Sequence, residues 1–98
     1  MRILLGNPSL TEFDVLRAAS ARPVSGEVLR EIFASARWVK RPAVQSALVL
    51  NPHCPRDVAL FLVPQLSRSD ARRALDVSGL DRMVRLACLR VVRGGLRH

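Results

Sequence analysis

Apolar positions along this chain fall into blocks of roughly ten residues, and within each block they recur at the spacing of a helix. The clearest block has Val28, Leu29, Ile32 and Phe33 as an i, i+1, i+4, i+5 stripe, with Glu27, Arg30 and Glu31 off it and Ser25 where an N-cap belongs. From Pro42 to Leu50 every residue except Gln45 and Ser46 is apolar, too many for a helix with a wet face, so this helix is expected to be central and buried. Pro42 suits its first position, where a missing N–H is no loss, and Asn51-Pro52 stops it because proline disfavours α geometry in the preceding residue. Ser35 to Arg41 connects these two helices, and its Trp38 reads as a plug packed over the pair.

The remaining blocks are read the same way. Ser9 and Glu12 have capping-box spacing, which places a first helix at about residues 10 to 20 with Leu10, Phe13, Leu16 and Ala19 or Ser20 near one face, broken by Arg22-Pro23. Cys54-Pro55 opens a fourth helix with Cys54 at its N-cap; Val58 to Val63 is apolar all round and so reads as buried, and Pro64 ends or kinks it. Ser69 is expected to cap a fifth helix with Ala71, Ala74 and Leu75 inward and Arg72 and Arg73 outward. Ser78 as cap and Asp81 in the first turn open the last helix, which runs to about Val92 and closes at Gly94-Gly95. At about 100° per residue, Leu80, Met83, Val84, Ala87 and Val91 face the core, whereas Leu86 and Leu89 fall opposite them among Arg82, Arg85, Arg90 and Arg93.

Composition narrows the class. Ninety-eight residues make one domain, 1–98, with a tail expected to fray from about 94, and leave no room for a catalytic domain beside a binding one. Three Phe, one Trp and no Tyr within 49% hydrophobic content require an aliphatic core. No apolar run approaches the roughly 20 residues of a membrane span, and the opening residues are too short for a signal peptide, so a cytoplasmic protein with Cys54 and Cys88 as reduced thiols is expected. The net charge of +8 favours anionic partners, and fifteen of the sixteen basic residues are Arg, whose planar fork suits carboxylates and phosphates.

Four turn-and-helix starts are alike: Asn7-Pro8-Ser9-Leu10-Thr11, Arg22-Pro23-Val24-Ser25-Gly26, Asn51-Pro52-His53-Cys54-Pro55 and Asp76-Val77-Ser78-Gly79. Ala18 to Phe33 also lies over Ala47 to Val63 with one residue inserted, which marks a degenerate repeat. The Asn-Pro-x-x-Pro turn after Ala47-Leu48-Val49 resembles the bacterial leucine-rich repeat variant and HEAT-like families, over about residues 7 to 92 and most clearly from Val44 to Leu62. The resemblance implies a right-handed stack of about six short helices, hence an all-α scaffold that presents a surface and performs no reaction. One departure is plain: the chain has no cysteine cluster of the kind that holds an iron–sulfur centre in some variant-repeat proteins.

Chemistry offers little against that expectation. His53, Cys54 and Asp57 lie close in sequence, but zinc wants four ligands, and adjacent turn residues point their side chains apart, so neither a metal nor a Cys–His pair is expected. The carboxylates each have an Arg on their own helix, such as Glu27 with Arg30 or Asp81 with Arg85, which reads as surface pairing rather than acid–base work. No cofactor motif is present. What is left is surface: Arg82, Arg85, Leu86, Leu89, Arg90 and Arg93 as a partner-binding face for an acidic protein or a second copy. The alternative is weak, sequence-independent contact of nucleic-acid phosphates by Arg68, Arg72, Arg73, Arg82 and Arg85. A non-enzymatic interaction module is therefore the first expectation.

Overall fold

The computed structural model describes residues 6–94, which form six α-helices, one 3-10 turn and no strand. The expectation of a frayed tail, Gly94 apart, lies outside the described residues. Helix α1 spans Glu12–Ser20, α2 Gly26–Ala34, α3 Pro42–Leu50, α4 Arg56–Leu62, α5 Arg68–Leu75 and α6 Arg82–Val92, with the 3-10 turn at Val63–Gln65 between α4 and α5. None is long and apolar enough to cross a membrane.

Helix starts follow local hydrogen bonding, and several differ from expectation. The capping box belongs to Thr11 and Asp14, not Ser9 and Glu12: Thr11 Oγ1 accepts from the Asp14 N–H at 3.2 Å while Asp14 Oδ2 accepts from the Thr11 N–H at 3.0 Å. Ser9 is instead held in a turn by Asn7 Oδ1, and Glu12 is drawn away by Arg41 at 2.8 Å. Ser25 caps α2 as expected, but Ser67 rather than Ser69 caps α5, because the chain leaves the Pro64 turn extended at Leu66. Asp81 is itself the cap of α6, accepting from Met83 and Val84; Ser78 sits in the preceding turn, whose Gly79 has φ +83°. Cys54 caps nothing, since Pro55 holds the N-cap position of α4 without a side-chain bond. At the other end, Gly94 with φ +77° closes α6 as expected.

The core is aliphatic and runs the length of the molecule. Leu29 and Ile32 of α2, Val44, Leu48 and Val49 of α3, and Val58 and Leu62 of α4 are fully buried, with Trp38 packed over them as the expected plug. Three faces were misassigned. In α1 the buried residues are Val15, Ala18 and Ala19, and Phe13 lies 66% exposed, because α2 and α3 pack on the side that carries the first three. In α4 only Val58, Ala59 and Leu62 are buried; Phe61 is 63% exposed and meets Phe33 edge-on with ring centroids 5.5 Å apart. The central helix α3 has an open side at Ala43 and is not covered all round. Leu48→Ala is therefore expected to cost about 2–5 kcal/mol, whereas Phe61→Ala should cost no more than about 1.5 kcal/mol, the scale of one aromatic pair. Chemical denaturation of both variants checks this, and equal losses would refute the assigned faces of α4.

The helices associate in two rows. In one, α1 packs on α3 and α3 on α5; in the other, α4 packs on α6, and α2 reaches α4 through side chains. Within each pair α1 meets α2, α3 meets α4 and α5 meets α6. Glu12, Pro42 and Arg68 start the first row and Gly26, Arg56 and Arg82 the second, so both rows advance by 30 and then 26 residues. Three helix pairs in common register account for the sequence overlap of Ala18 to Phe33 with Ala47 to Val63. The likeness of the second start to the fourth does not survive: Val24-Ser25-Gly26 starts a helix, while Val77-Ser78-Gly79 is a turn.

Candidate partner-binding face

Ion pairs join successive helices of the same row, and one more lies within α5. Arg30 grips Asp57 with both guanidinium nitrogens at 2.9 and 3.0 Å, and Arg56 Nε reaches both Asp81 oxygens at 3.1 and 3.2 Å. The expected same-helix pairs Glu27 with Arg30 and Asp81 with Arg85 do not form, because Arg30 turns to Asp57 of α4 and Arg85 to the carbonyls of Leu75 and Val77. The Arg30 hydrogen bond holds the Asp57 carboxyl below the usual carboxylate range. For Asp81, partial burial works the other way, but the Arg56 bond and the Val84 and Met83 N–H groups prevail and lower it.

The expected arginine cluster divides on inspection of its partners. Arg85 is half-buried and donates to the carbonyls of Leu75 and Val77 at 2.8 and 3.2 Å, so it caps the end of α5 and is withdrawn from any partner. Arg73 pairs with Asp70 at 3.2 Å. Arg68 closes over the end of α6: a Cβ on Gly94 would lie 3.0 Å from its Nη2. Arg72, Arg82, Arg90 and Arg93 are exposed, and their side chains make no hydrogen bond or ion pair with other described residues. Of the five expected phosphate contacts, then, Arg72 and Arg82 stay free of described partners, while Arg73 and Arg85 do not.

On α6, Val84 and Cys88 are buried with Leu80 just before the helix, and Leu86 stands 49% exposed among Arg82, Arg90 and Arg93 as expected. Two expectations for this helix fail. Met83 is exposed rather than inward, and Leu89 is half-buried rather than free, because α6 leans on α5 and the 3-10 turn as well as on α4 and this rotates the covered arc. The face that remains is one leucine with a second at its edge, ringed by cations.

A feature the sequence did not disclose is a cleft of about 550 Å³ across α3, floored by Ala43, Ser46 and Ala47 and walled by Leu16 and Ser20 of α1 and Arg73 of α5. The small residues on the outer side of α3 were its only signal, and they make a cleft only because α1 and α5 rise beside them. Arg22 crosses its end and donates to the Leu50 carbonyl at 2.8 Å.

Burial first, and Asp57 second, push the Cys54 thiol up to about 12, against a smaller opposing pull from Arg30. Cys88 is likewise raised by burial, and both thiols are free. Among the described residues no three His, Cys, Asp or Glu side chains gather as a metal site would need. Comparison of the chain with protein-family models, curated proteins and solved structures finds no match.

Proposed function

We propose that this chain is a non-enzymatic protein–protein interaction module, a cytoplasmic scaffold of three degenerate helix pairs arranged as a right-handed, HEAT-like stack. The equal offsets of the two rows support the repeat, and the outer face of α6 carries the functional reading. Leu86 is half exposed there between arginines with no acid to meet. A helix that merely closed a stack would turn a polar side outward. An apolar anchor inside a cationic ring selects an acidic surface, on another protein or on a second copy.

Leu86→Glu tests this. Its unfolding free energy should stay within about 0.5 kcal/mol of wild type, while protein capture from a nuclease-treated lysate is lost. Unfolding of the variant would place Leu86 in the core and overturn the reading. Sequence-independent nucleic-acid binding is the second reading, favoured by the unpartnered state of Arg72 and Arg82. Weak duplex binding that vanishes near physiological salt is expected, with a salt slope lowered by about two in an Arg72→Ala, Arg82→Ala variant. Binding that persists at physiological salt and ignores Leu86→Glu would put this reading first.

A further inference from the structure

The internal junctions of the second row say what α6 is shaped to receive. Counted on from the first residues of α2, α4 and α6, Gly26, Arg56 and Arg82 take the first place, Arg30, Leu60 and Leu86 the fifth, and Phe33, Val63 at the start of the 3-10 turn, and Leu89 the eighth. These are the places from which a helix addresses the next one: Arg30 reaches Asp57, Phe33 reaches Phe61, and Arg56 reaches Asp81. On α6 the same places hold Arg82, Leu86 and Leu89, with nothing described beyond them. α6 receives Arg56 at Asp81, just before its first residue, whereas on α4 the receiving places are the second and sixth, Asp57 and Phe61. On α2 they hold Glu27 and Glu31, both exposed and without an ion pair among the described residues, since Arg30 is committed to Asp57.

We infer that the outer face of α6 docks on α2 of a second copy, with Arg82, Arg90 and Arg93 set against Glu27 and Glu31 around Leu86 and Leu89, so that copies join head to tail in the order in which α2, α4 and α6 follow one another. This deepens the interaction-module reading and rests on it. Charge decides the occupant. A symmetric pairing of α6 with α6 would set Arg82, Arg90 and Arg93 against their own copies, whereas α2 presents acids where α6 presents arginines. The net charge of +8 opposes association at long range, but beyond roughly 8 Å that repulsion is screened at physiological ionic strength and the contacting faces are complementary. In the first row the same end of the molecule carries Phe13, 66% exposed, in the second place of α1, and the opposite end carries Arg72 in the fifth place of α5. Arg17 already lies 5.9 Å from the centre of the Phe13 ring, so Arg72 of the second copy would take its other face and extend the match to that row. A head-to-tail contact is heterologous, so copies add without limit unless the chain of rotations closes.

Two blocked variants test the inference in the full chain: Arg82→Glu with Leu86→Glu, which spoils the α6 end, and Glu27→Arg with Glu31→Arg, which spoils the α2 end. In sedimentation velocity at rising protein concentration the wild type should grow in mean mass, and each variant alone should associate about tenfold or more weakly. Mixed in equal amounts, the two variants should pair one to one through the good face that each retains, and any growth past the dimer runs through the charge-swapped faces. If the α2 variant unfolds, Glu27→Gln with Glu31→Gln takes its place in the mixture. A wild type that stays monomeric, or a mixture that yields no dimer, overturns the second copy as occupant. Self-association abolished by the α6 variant but untouched by the α2 variant leaves the α6 face a docking surface with another occupant, and failure of both to matter removes that face from the interaction-module reading as well.

Discussion

Asn51→Asp is expected to destabilise the protein by about 3–5 kcal/mol at neutral pH, the scale of an uncompensated buried charge. Asn51 is buried at the end of α3, where its Nδ2 donates to the carbonyls of Ala19 at 2.8 Å and Ala21 at 2.9 Å and its Oδ1 accepts from the His53 N–H at 3.0 Å. One amide side chain thereby satisfies carbonyls at the end of α1 and shapes the turn into α4, joining the first helix pair to the second. An aspartate keeps the shape but turns the donor into an acceptor facing two carbonyls. The folded protein then favours the protonated acid, so the carboxyl is raised above its unfolded value of about 3.9. The penalty relative to wild type is accordingly smallest below about pH 3.9, grows as pH rises toward the folded value, and is constant above it. Denaturant titrations of both proteins at acid and neutral pH read it directly. A penalty independent of pH would mean that the loss is steric and that the two carbonyl contacts carry little.

Trp38→Ala is expected to cost about 3–5 kcal/mol. The indole fills the space between the α2–α3 connection and the core, and two guanidiniums cover it, Arg37 at 4.5 Å and Arg41 at 5.0 Å from the ring. Arg41 goes on to Glu12 of α1, and Arg37 donates to the carbonyls of Asn7 and Leu10, so removal of the ring loosens the hold of both arginines on the first helix. Trp38→Phe should cost much less. It keeps an aromatic face for the cations, and the Nε1–H it removes has no hydrogen-bond partner among the described residues. Circular-dichroism melts separate the two variants, which lack the chain's one tryptophan as a fluorescent probe. Equal losses would show that the shape of the indole, not its apolar bulk, fits the site.

Backbone chemistry carried by single residues was legible without a structure. Pro42 and Asn51-Pro52 bound α3 at its observed ends, Ser25 caps α2, and Gly94 closes α6, because each acts on its own peptide group or the next few and needs no distant partner. The period of Val28, Leu29, Ile32 and Phe33 gave the covered side of α2, although only Leu29 and Ile32 are fully buried. Where two polar residues could each cap the same helix, tertiary contacts chose: Arg41 took Glu12 and left the box to Thr11 and Asp14, and Arg56 and the α6 N–H groups share Asp81. Apolar character alone did not tell burial in α4 and α6, since Phe61 and Met83 are as hydrophobic as Leu62 and Val84 and differ only in whether a neighbouring helix lies over them. The arginines divide for the same reason. Their charge is written in the sequence, but whether one meets Asp57, a carbonyl of α5 or the solvent depends on distances between helices that 27 or 10 residues of chain separate, and packing of the rows alone sets those distances.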